Sequence, residues 1–325
     1  MPPVVSSTSV TPGGNGFLYV LNEGNFMASN GSVTRVNLND GAVVTDFFSV
    51  QNNGVQIGDV PQSMCLHNGK FYIVINNSGK IIVVDRFSFQ SISQITGLNS
   101  PRYFLPLSNN KAYVSDLYSN QVSVIDLNSN TVISSIPVPG WSEEMYELFG
   151  KVYVTVKNSN KLYVINAATD QLSDSIVLGY GAGSIRQDKF GKLWVLCSGD
   201  QTSHYAQLLK INPTNLMIDT VFIFPSLSNN PGELCFNKSK DELYFLDYGG
   251  VYKMNIYGGL PGSPFIPKGN RNFYALSVDP QEEKIYVADA IDFNQNGMIY
   301  RYTKEGVEID FFSSGIIPGF FYFDK

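Results

Sequence analysis

Two stretches of the chain repeat one pattern: GKFYIVINNSGKIIVVD at residues 69–85 and GKVYVTVKNSNKLYVIN at residues 150–166. Each places an aromatic residue inside an apolar run, followed by an Asn-rich polar segment and a second run of alternating residues. Alternation with a period of two is typical of half-buried strands, and Asn, Ser and Gly clusters are typical of turns. Each stretch therefore predicts two strands joined by a tight turn.

The pattern occurs seven times when the chain is aligned on the aromatic residue of the first run. Successive copies lie 53, 41, 40, 41, 50 and 42 residues apart. We expect these aromatic residues to pack between neighbouring units, because a repeat unit cannot bury both of its faces alone. They are Tyr19, Tyr72, Tyr113, Tyr153, Trp194, Tyr244 and Tyr286.

One complete unit shows how each repeat is built. Residues 101–138 divide into the strand segments RYFLPL, KAYVSD, QVSVIDL and TVISSIPV, separated by turn-forming residues. No sustained 3.6-residue period, which would indicate helices, occurs in the chain. Four strands in each 40 to 50 residues is typical of a β-propeller blade. The sequence therefore predicts an all-β fold, a seven-bladed β-propeller with four-stranded antiparallel blades.

The two ends of the chain predict how the ring closes. The first unit begins at its second strand, FLYVLN, and the chain ends with GIIPGFFYFDK, which matches a first strand. We expect the C-terminal strand to complete the N-terminal blade, which removes two exposed sheet edges. Residues 1–15 are predicted to be a flexible tail, and residues 16–325 a single propeller domain. Units one and seven also have similar sequences, NGSVTRVNLNDGAVVTDFFSV and NGMIYRYTKEGVEIDFFSS, as duplication of neighbouring blades would produce.

Composition narrows the possible functions. The chain of 325 residues carries 22 Lys and Arg against 28 Asp and Glu, and it contains no basic block. Binding along a nucleic-acid backbone is therefore disfavoured, because that affinity comes from clustered cations. The first 16 residues contain neither a charged segment nor an apolar core, so they do not predict a signal peptide. Three cysteines, Cys65, Cys197 and Cys235, lie in apolar runs and are expected to be buried free thiols.

Propeller loops predict a ligand-binding face. The loops between the second and third strands, together with the crossings between blades, should open on one face around the central channel, and loops often carry function. These segments are rich in aromatic, amide and carboxylate side chains, which suit a large amphipathic ligand. The candidate ligand-binding residues are Glu23, Phe26, Asn76, Arg102, Tyr103, Asp116, Tyr118, Trp141, Tyr180, Arg186, His204, Tyr205, Glu233, Asp247, Tyr248, Phe273, Tyr274 and Phe293.

Signals for catalysis or metal binding are weak. His67 is expected in a short turn on the opposite face, and a lone loop histidine such as His204 is more often a surface residue than a base or a ligand. Asp292, Asn294 and Asn296 match the first half of a calcium loop, but the twelfth position is a threonine where a bidentate Glu is required. A hairpin turn without metal is the favoured interpretation, so we expect no catalytic residue and no required cofactor.

The repeated pattern resembles YncE-like, surface-layer-type seven-bladed propellers over residues 16–325. The segments LYVLNEGNF, NGSVTRVNL and the final DFFSSGIIPGFFYF are most similar to propeller lipoproteins of gut Bacteroidetes, and among these to the cobalamin-capturing, BtuG-like group. The resemblance implies a non-enzymatic protein that binds cobalamin or a related corrinoid. It also implies lipid anchoring at the outer-membrane surface and delivery to a TonB-dependent transporter. The chain start lacks a lipidation cysteine, so we expect that an export signal has been lost.

Two other functions remain open at this point. A protein-interaction scaffold of the cell surface would use the same face to contact another protein. A metal-dependent lactonase-type hydrolase would need a metal ion held in the channel by inward-facing oxygen ligands. Five carboxylates could contribute to such a site, although they are interpreted as occupying unequal positions in their units: Glu23, Asp116, Glu233, Asp247 and Asp289.

Overall fold

A computed structural model describes residues 16–325, so the predicted N-terminal tail lies outside the described residues. The first three blades contain the strands β1 (Phe17–Asn22), β2 (Ser32–Asn37), β3 (Val43–Val44), β4 (Pro61–His67), β5 (Lys70–Ile75), β6 (Lys80–Asp85), β7 (Ser91–Ile95), β8 (Pro101–Pro106), β9 (Lys111–Asp116), β10 (Gln121–Asp126) and β11 (Thr131–Pro137). Blades four and five contain β12 (Ser142–Leu148), β13 (Lys151–Val156), β14 (Lys161–Asn166), β15 (Gln171–Val177), β16 (Ala182–Gln187), β17 (Leu193–Cys197), β18 (Gln207–Asn212) and β19 (Met217–Ile223).

The remaining strands complete the ring. Blades six and seven and the closing strand are β20 (Gly232–Phe236), β21 (Glu242–Asp247), β22 (Gly250–Asn255), β23 (Ile266–Pro267), β24 (Phe273–Val278), β25 (Ile285–Asp289), β26 (Asn296–Tyr302), β27 (Glu308–Ile316) and β28 (Pro318–Asp324). A helix, α1 (Phe47–Gln51), follows β3. None of the helices in residues 16–325 is long and apolar enough to cross a membrane.

The described chain forms seven four-stranded antiparallel sheets, which confirms the predicted fold. In blades two to seven the strands follow chain order from the channel outward, beginning with β4 in blade two. Blade one has the order β28-β1-β2-β3, and Leu18 of β1 lies opposite Phe323 of β28. The C-terminal strand therefore closes the ring as predicted, and the innermost strands of neighbouring blades contact one another around the channel.

The repeated aromatic residues form the packing between blades. All seven are at most 2% exposed, and each belongs to an apolar cluster shared with the next blade. Tyr72, for example, stacks on Phe104 of blade three with ring centroids 4.4 Å apart. Burying such rings contributes about 2–3 kcal/mol each, so the repeat exists because each blade supplies half of every cluster.

The segment DFFS, which occurs in both blade one and blade seven, adopts a different structure in each. In blade seven the segment DFFS (residues 310–313) lies within strand β27, where Asp310 pairs with Arg301 of the neighbouring strand. In blade one the same four residues begin α1, whose Phe47 and Phe48 are both buried against blade two. The fourth strand of blade one is therefore only two residues long.

Candidate functional site

The side chains of the candidate site are positioned by a shift in strand pairing near the start of each innermost strand. The pairing register shifts there in all seven blades, for example between Pro101 and Phe104 in β8 and between Ser142 and Met145 in β12. A β-bulge re-aims side chains and often lies beside a functional site. Of the residues inside the seven shifts, Leu234 is buried between blades. The others line one cavity: Gln62, Arg102, Tyr103, Glu143, Glu144, Gly183, Glu233, Tyr274 and Gly319.

This cavity of about 540 Å³ is the part of the central channel that lies at the starts of the innermost strands. It opens on the side that carries the crossings between blades, such as residues 96–100, and the loops between second and third strands, such as residues 76–79. We call this side the mouth face. Of the candidate residues, seven line the cavity: Glu23, Arg102, Tyr103, Arg186, Glu233, Phe273 and Tyr274.

Two arginines in the cavity are paired with consecutive glutamates of blade four. Nε of Arg102 lies 2.9 Å from Oε2 of Glu143, and Nη2 of Arg186 lies 3.0 Å from Oε1 of Glu144. Burial disfavours the charged form of each guanidinium, but the adjacent carboxylate more than offsets this and raises the pKa of both arginines. Arg102 also donates to Oε1 of Gln62 in blade two. These contacts connect the inner strands of blades two to five.

Two other glutamates in the cavity, Glu23 and Glu233, form no ion pair within residues 16–325, although Arg102 lies near the first and Arg186 and Lys157 lie near the second. Glu23 accepts one hydrogen bond, from the Tyr274 hydroxyl at 3.0 Å, and burial raises the pKa of its carboxyl. The Glu233 carboxylate accepts no hydrogen bond from the described residues. Burial, with the Glu144 charge in second place, raises the pKa of Glu233 to about 7.

Glu233 also has an unusual backbone. Its φ is +58°, a left-handed conformation that costs about 1 kcal/mol or more for a residue with a Cβ. The strain is located at the bulge of β20 and fixes a titratable side chain on the channel wall. Val60, which also lines the cavity, has a φ of +60°, so Glu233 is the titratable one of two non-glycine lining residues in this conformation.

Aromatic side chains surround the cavity on the mouth face. Tyr118 and Trp141 form an edge-to-face pair with ring centroids 5.8 Å apart, and Tyr274 contacts Phe293 edge-on at 5.7 Å. The exposed members, which we call the aromatic rim, are Phe26, Tyr118, Trp141, Tyr205, Tyr248 and Phe293. Exposed aromatic faces offer large apolar contact at low entropic cost.

The long loop of blade five holds His204 in a fixed orientation. Its Nδ1 lies 2.6 Å from Oδ2 of Asp200, and its ring stacks on Tyr180 with centroids 4.9 Å apart. Asp200 also accepts the backbone N–H groups of residues 202–204, and the His204 contact is the largest factor that lowers the pKa of this carboxyl. His67, in contrast, ends β4 on the opposite face, as expected.

Several candidate residues lie behind the cavity, where they hold the loops. Asn76 is buried and donates to Ser100 and to the Pro101 carbonyl. Asp116 is also buried and accepts the backbone N–H of Ser100 at 2.8 Å. Asp247 makes the equivalent contact with the backbone N–H of Asn230 at 3.0 Å.

These carboxylates correct one interpretation of the sequence. Asp116, Asp247 and Asp289 do not occupy unequal positions, since each is the last residue of a second strand. Each accepts a backbone N–H from the crossing that enters its blade, and for Asp289 the donor is Asn272 at 2.8 Å. An aspartate at the end of the second strand therefore anchors the crossing that enters its blade.

The calcium-like segment forms a turn. Oδ1 of Asp292 accepts the backbone N–H groups of Asn294 and Gln295 at 2.9 and 3.0 Å, which are the largest factors that lower the pKa of Asp292. Asn296 already belongs to β26, and a Cβ on Gly297 would approach Pro318 to 2.5 Å. In the described part of the chain no three His, Cys, Asp or Glu residues are grouped as a metal site would need.

Sequence reasoning did not include Gln62, Glu143, Glu144 and Lys157, which also line the cavity. The segment SEEMYEL of blade four carried the available signal, because two consecutive carboxylates at the start of an inner strand break its alternation. The three cysteines are free thiols, as expected, but Cys65 and Cys235 are only partly buried. Desolvation raises the pKa of each thiol to about 12. Cys197 is fully buried, and Cys235 borders the cavity.

The fold and the cavity define a seven-bladed β-propeller with a charged, aromatic-rimmed channel. Residues 15–313 match the family described as "Domain of unknown function (DUF5074)", and the chain belongs to this family. No curated protein matches the sequence.

Several solved structures share the fold at low sequence identity. A quinonprotein alcohol dehydrogenase-like protein from Bacteroides thetaiotaomicron is 15% identical with a TM-score of 0.74, over 96% of this chain and 78% of that one. A functionally unknown protein from Desulfotomaculum acetoxidans is 13% identical with a TM-score of 0.71, over 95% and 99%. Virginiamycin B lyase from Staphylococcus aureus is 14% identical with a TM-score of 0.61, over 76% and 82%. These similarities establish the fold and leave the function open.

Proposed function

We propose that this protein is a non-enzymatic ligand-binding propeller that holds a large amphipathic ligand on its mouth face. The observation that carries the proposal is the combination of a polar cavity of about 540 Å³ with the exposed aromatic rim around it. Binding sites for large ligands commonly combine aromatic contact surface with a few fixed polar groups. Here the Arg102–Glu143 and Arg186–Glu144 pairs supply rigid polar groups, because each charge is already oriented by its partner.

Corrinoids are the first ligand class to test. A corrinoid is a broad, flat ring with amide groups on its edge, so the rim can contact its face while the cavity receives its polar substituents. The resemblance to cobalamin-capturing lipoproteins adds the other parts of the proposal. These are a lipid-anchored position at the outer-membrane surface, a TonB-dependent transporter as partner, and a bound corrinoid as cargo.

Calorimetric titration with cyanocobalamin, beside a haem control, tests the proposal. We expect a Kd below about 1 μM, which corresponds to about 8 kcal/mol. Joint replacement of Trp141, Tyr180 and Tyr205 by alanine should weaken binding at least about 100-fold, since each contributes aromatic contact. Replacing Phe87, Phe149 and Phe190, exposed aromatics of the opposite face, is the matched control and should change nothing. No binding of cyanocobalamin would refute the corrinoid proposal.

A scaffold function is the second candidate, and the opposite face favours it. Phe149 is 79% exposed although its φ of +54° is unfavourable for a bulky residue. Phe190 and Tyr257 are also exposed and contact each other with centroids 6.1 Å apart. Photo-crosslinking in cells from position 149, with position 141 as the mouth-face control, tests this function. A discrete protein adduct from 149 alone would support a scaffold.

The hydrolase alternative depends on fewer residues than the sequence suggested. Asp116, Asp247 and Asp289 hold crossings, so Glu23 and Glu233 are the members of that group that line the cavity. Assay of a lactone panel with added Ca²⁺ or Zn²⁺ tests this alternative. Turnover that disappears in Glu233→Gln would favour a hydrolase over a capture protein.

A further inference from the structure

A second groove opens on the mouth face beside the channel. Its volume is about 260 Å³, and it lies over blade six, between the loop of blade five and the loop of blade seven. Asn230, Leu246 and Phe273 separate it from the channel cavity, because they line both spaces. The groove therefore adjoins the channel cavity along these three residues.

Aromatic side chains form two walls of this groove. Tyr248 is 81% exposed, and Phe293 is exposed on the blade-seven loop. The φ of Phe293 is +63°, which is rare for a bulky aromatic residue. The loop is held in this strained form, since Nδ2 of Asn25 in blade one donates to the Phe293 carbonyl at 2.9 Å. The fold thus maintains an exposed aromatic ring at an energetic cost.

A lysine without a carboxylate partner lies in the same groove. Nζ of Lys268 is 4.6 Å from the Tyr248 ring centroid, and this ammonium forms no ion pair with any carboxylate of residues 16–325. The backbone N–H of Lys268 donates to the Gly249 carbonyl at 2.9 Å, which fixes the lysine beside the tyrosine.

The other charged group of the groove is already satisfied. Asp247 accepts hydrogen bonds from Nδ2 of Asn229 at 2.6 Å and from the backbone N–H groups of Asn230 and Tyr248 at 3.0 and 2.8 Å. Three donors therefore compensate its charge, whereas the Lys268 ammonium faces an aromatic surface alone.

We propose that this groove is a binding site for a planar ring that carries one anionic substituent, a phosphate or a carboxylate. The ring would stack against Tyr248 and Phe293, and the anion would pair with the Lys268 ammonium. The volume suits a group of one or two rings. This site goes beyond the proposed channel-mouth function, because it lies over blade six and uses the Lys268 ammonium, although it shares the Tyr248 and Phe293 rings with the aromatic rim.

Ligand-observed NMR with small probes tests the proposal on the full chain. The probes are 4-nitrophenyl phosphate, 4-nitrobenzoate and the neutral 4-nitrobenzyl alcohol, with inorganic phosphate as a ring-free control. We expect one of the anionic rings to bind with a Kd of about 1 mM and the alcohol to bind about tenfold more weakly, a difference of about 1.4 kcal/mol. The preferred anion identifies the substituent.

Three variants make the test specific. Lys268→Met should reduce the affinity for the anionic ring to that for the alcohol, and Tyr248→Leu should weaken both probes. Lys189→Met is the matched control, because Lys189 also lies over a tyrosine, Tyr257, but is paired with Asp241 at 3.0 Å on the opposite face. Equal losses in Lys189→Met and Lys268→Met, or binding that survives Lys268→Met, would overturn the proposal. Absence of binding by every probe at about 10 mM, ten times the expected Kd, would also overturn it.

Discussion

Four glutamates line one cavity, yet they fall into two electrostatic classes. Glu143 and Glu144 of blade four each hold an arginine from a neighbouring inner strand, on opposite sides. Glu23 and Glu233, contributed by blades one and six, form no ion pair with the described residues, and burial raises the pKa of both. The residue type is the same, so the difference comes from whether the adjacent inner strand places an arginine beside the carboxylate.

The comparison divides the channel wall into two parts. On the side of blades two to five, paired charges connect separate blades. On the side of blades six, seven and one, burial raises the pKa of both carboxyls, to about 7 for Glu233. The channel wall therefore has ion-paired carboxylates on one side and carboxylates without an ion pair on the other.

The largest effect should follow from removing the cation of the more deeply buried pair. Arg102→Met leaves Glu143, whose side chain is 6% exposed, as an uncompensated buried charge. We expect the free energy of unfolding at pH 7 to fall by about 3–5 kcal/mol, measured by urea denaturation. The double variant Arg102→Met with Glu143→Leu should recover most of this loss. A single-variant cost below about 1 kcal/mol would mean that channel water compensates the carboxylate.

Arg186→Met should cost less, about 1–3 kcal/mol in the same measurement. The Arg186 side chain is 37% exposed, and Glu144 keeps a second donor, the backbone N–H of Ile185 at 2.9 Å. The carboxylate is therefore partly compensated after the arginine is removed. A cost equal to that of Arg102→Met would show that the backbone donor contributes nothing.

Glu233→Gln should have the opposite sign and depend on pH. The folded pKa of about 7 exceeds the ordinary value of 4.5, so the folded state binds the proton more tightly than the unfolded state. Wild-type stability should therefore fall as pH rises from about 4.5 to about 7. The variant lacks this loss, so we expect it to be about 1–2 kcal/mol more stable than wild type at pH 8 and equal to it at pH 4.

Urea denaturation at both pH values checks this prediction, with Glu305→Gln as the control. Glu305 is an exposed glutamate in a turn of blade seven, and its replacement should leave the pH profile unchanged. If Glu233→Gln lowers stability at pH 8, the Glu233 carboxylate has a favourable partner after all.

The blade pattern could be predicted from sequence because it depends on local alternation and a conspicuous repeat. A residue such as Tyr113 lies in the middle of a second strand, is fully buried and packs on the next blade. Strand alternation and the need to bury both sheet faces are sufficient to place it. The same reasoning predicted that the last strand, residues 318–324, completes blade one.

The channel wall could be predicted only in part, because bulges change which side chains face inward. Regular alternation would turn one of Glu143 and Glu144 away from the channel, yet both line it. Arg102 and Glu233 were included because of their place at a strand start, without any indication of which charge would be paired. Pairing depends on the register of neighbouring blades, which a single repeat does not encode.

The two structures of the shared DFFS sequence accompany a difference in register between the third and fourth strands of the two blades. Asp310 follows Arg301 by nine residues and lies opposite it in the sheet. Asp46 follows Arg35 by eleven residues, and Arg35 lies opposite Val44 instead. The chain leaves the sheet after Val44, and the Arg35 guanidinium lies 3.8 Å from the centroid of the Phe47 ring of α1.

The smallest effect concerns the hydroxyl that contacts Glu23. Tyr274→Phe removes the donor to Oε1 of Glu23, which is the main factor opposing the rise of that pKa. The pKa of Glu23 should rise further, so the variant should lose about 1 kcal/mol at pH 8 and less at pH 4. Urea denaturation at the two pH values measures the difference.

Tyr146→Phe is the matched control for this last change. Tyr146 also lies in an inner strand and donates at 3.0 Å, but its acceptor is the amide oxygen of Gln187, which does not titrate. Its loss should be similar at both pH values. If Tyr274→Phe behaves in the same way, Glu23 keeps one protonation state between pH 4 and 8, and Glu233 alone makes that side of the channel titratable.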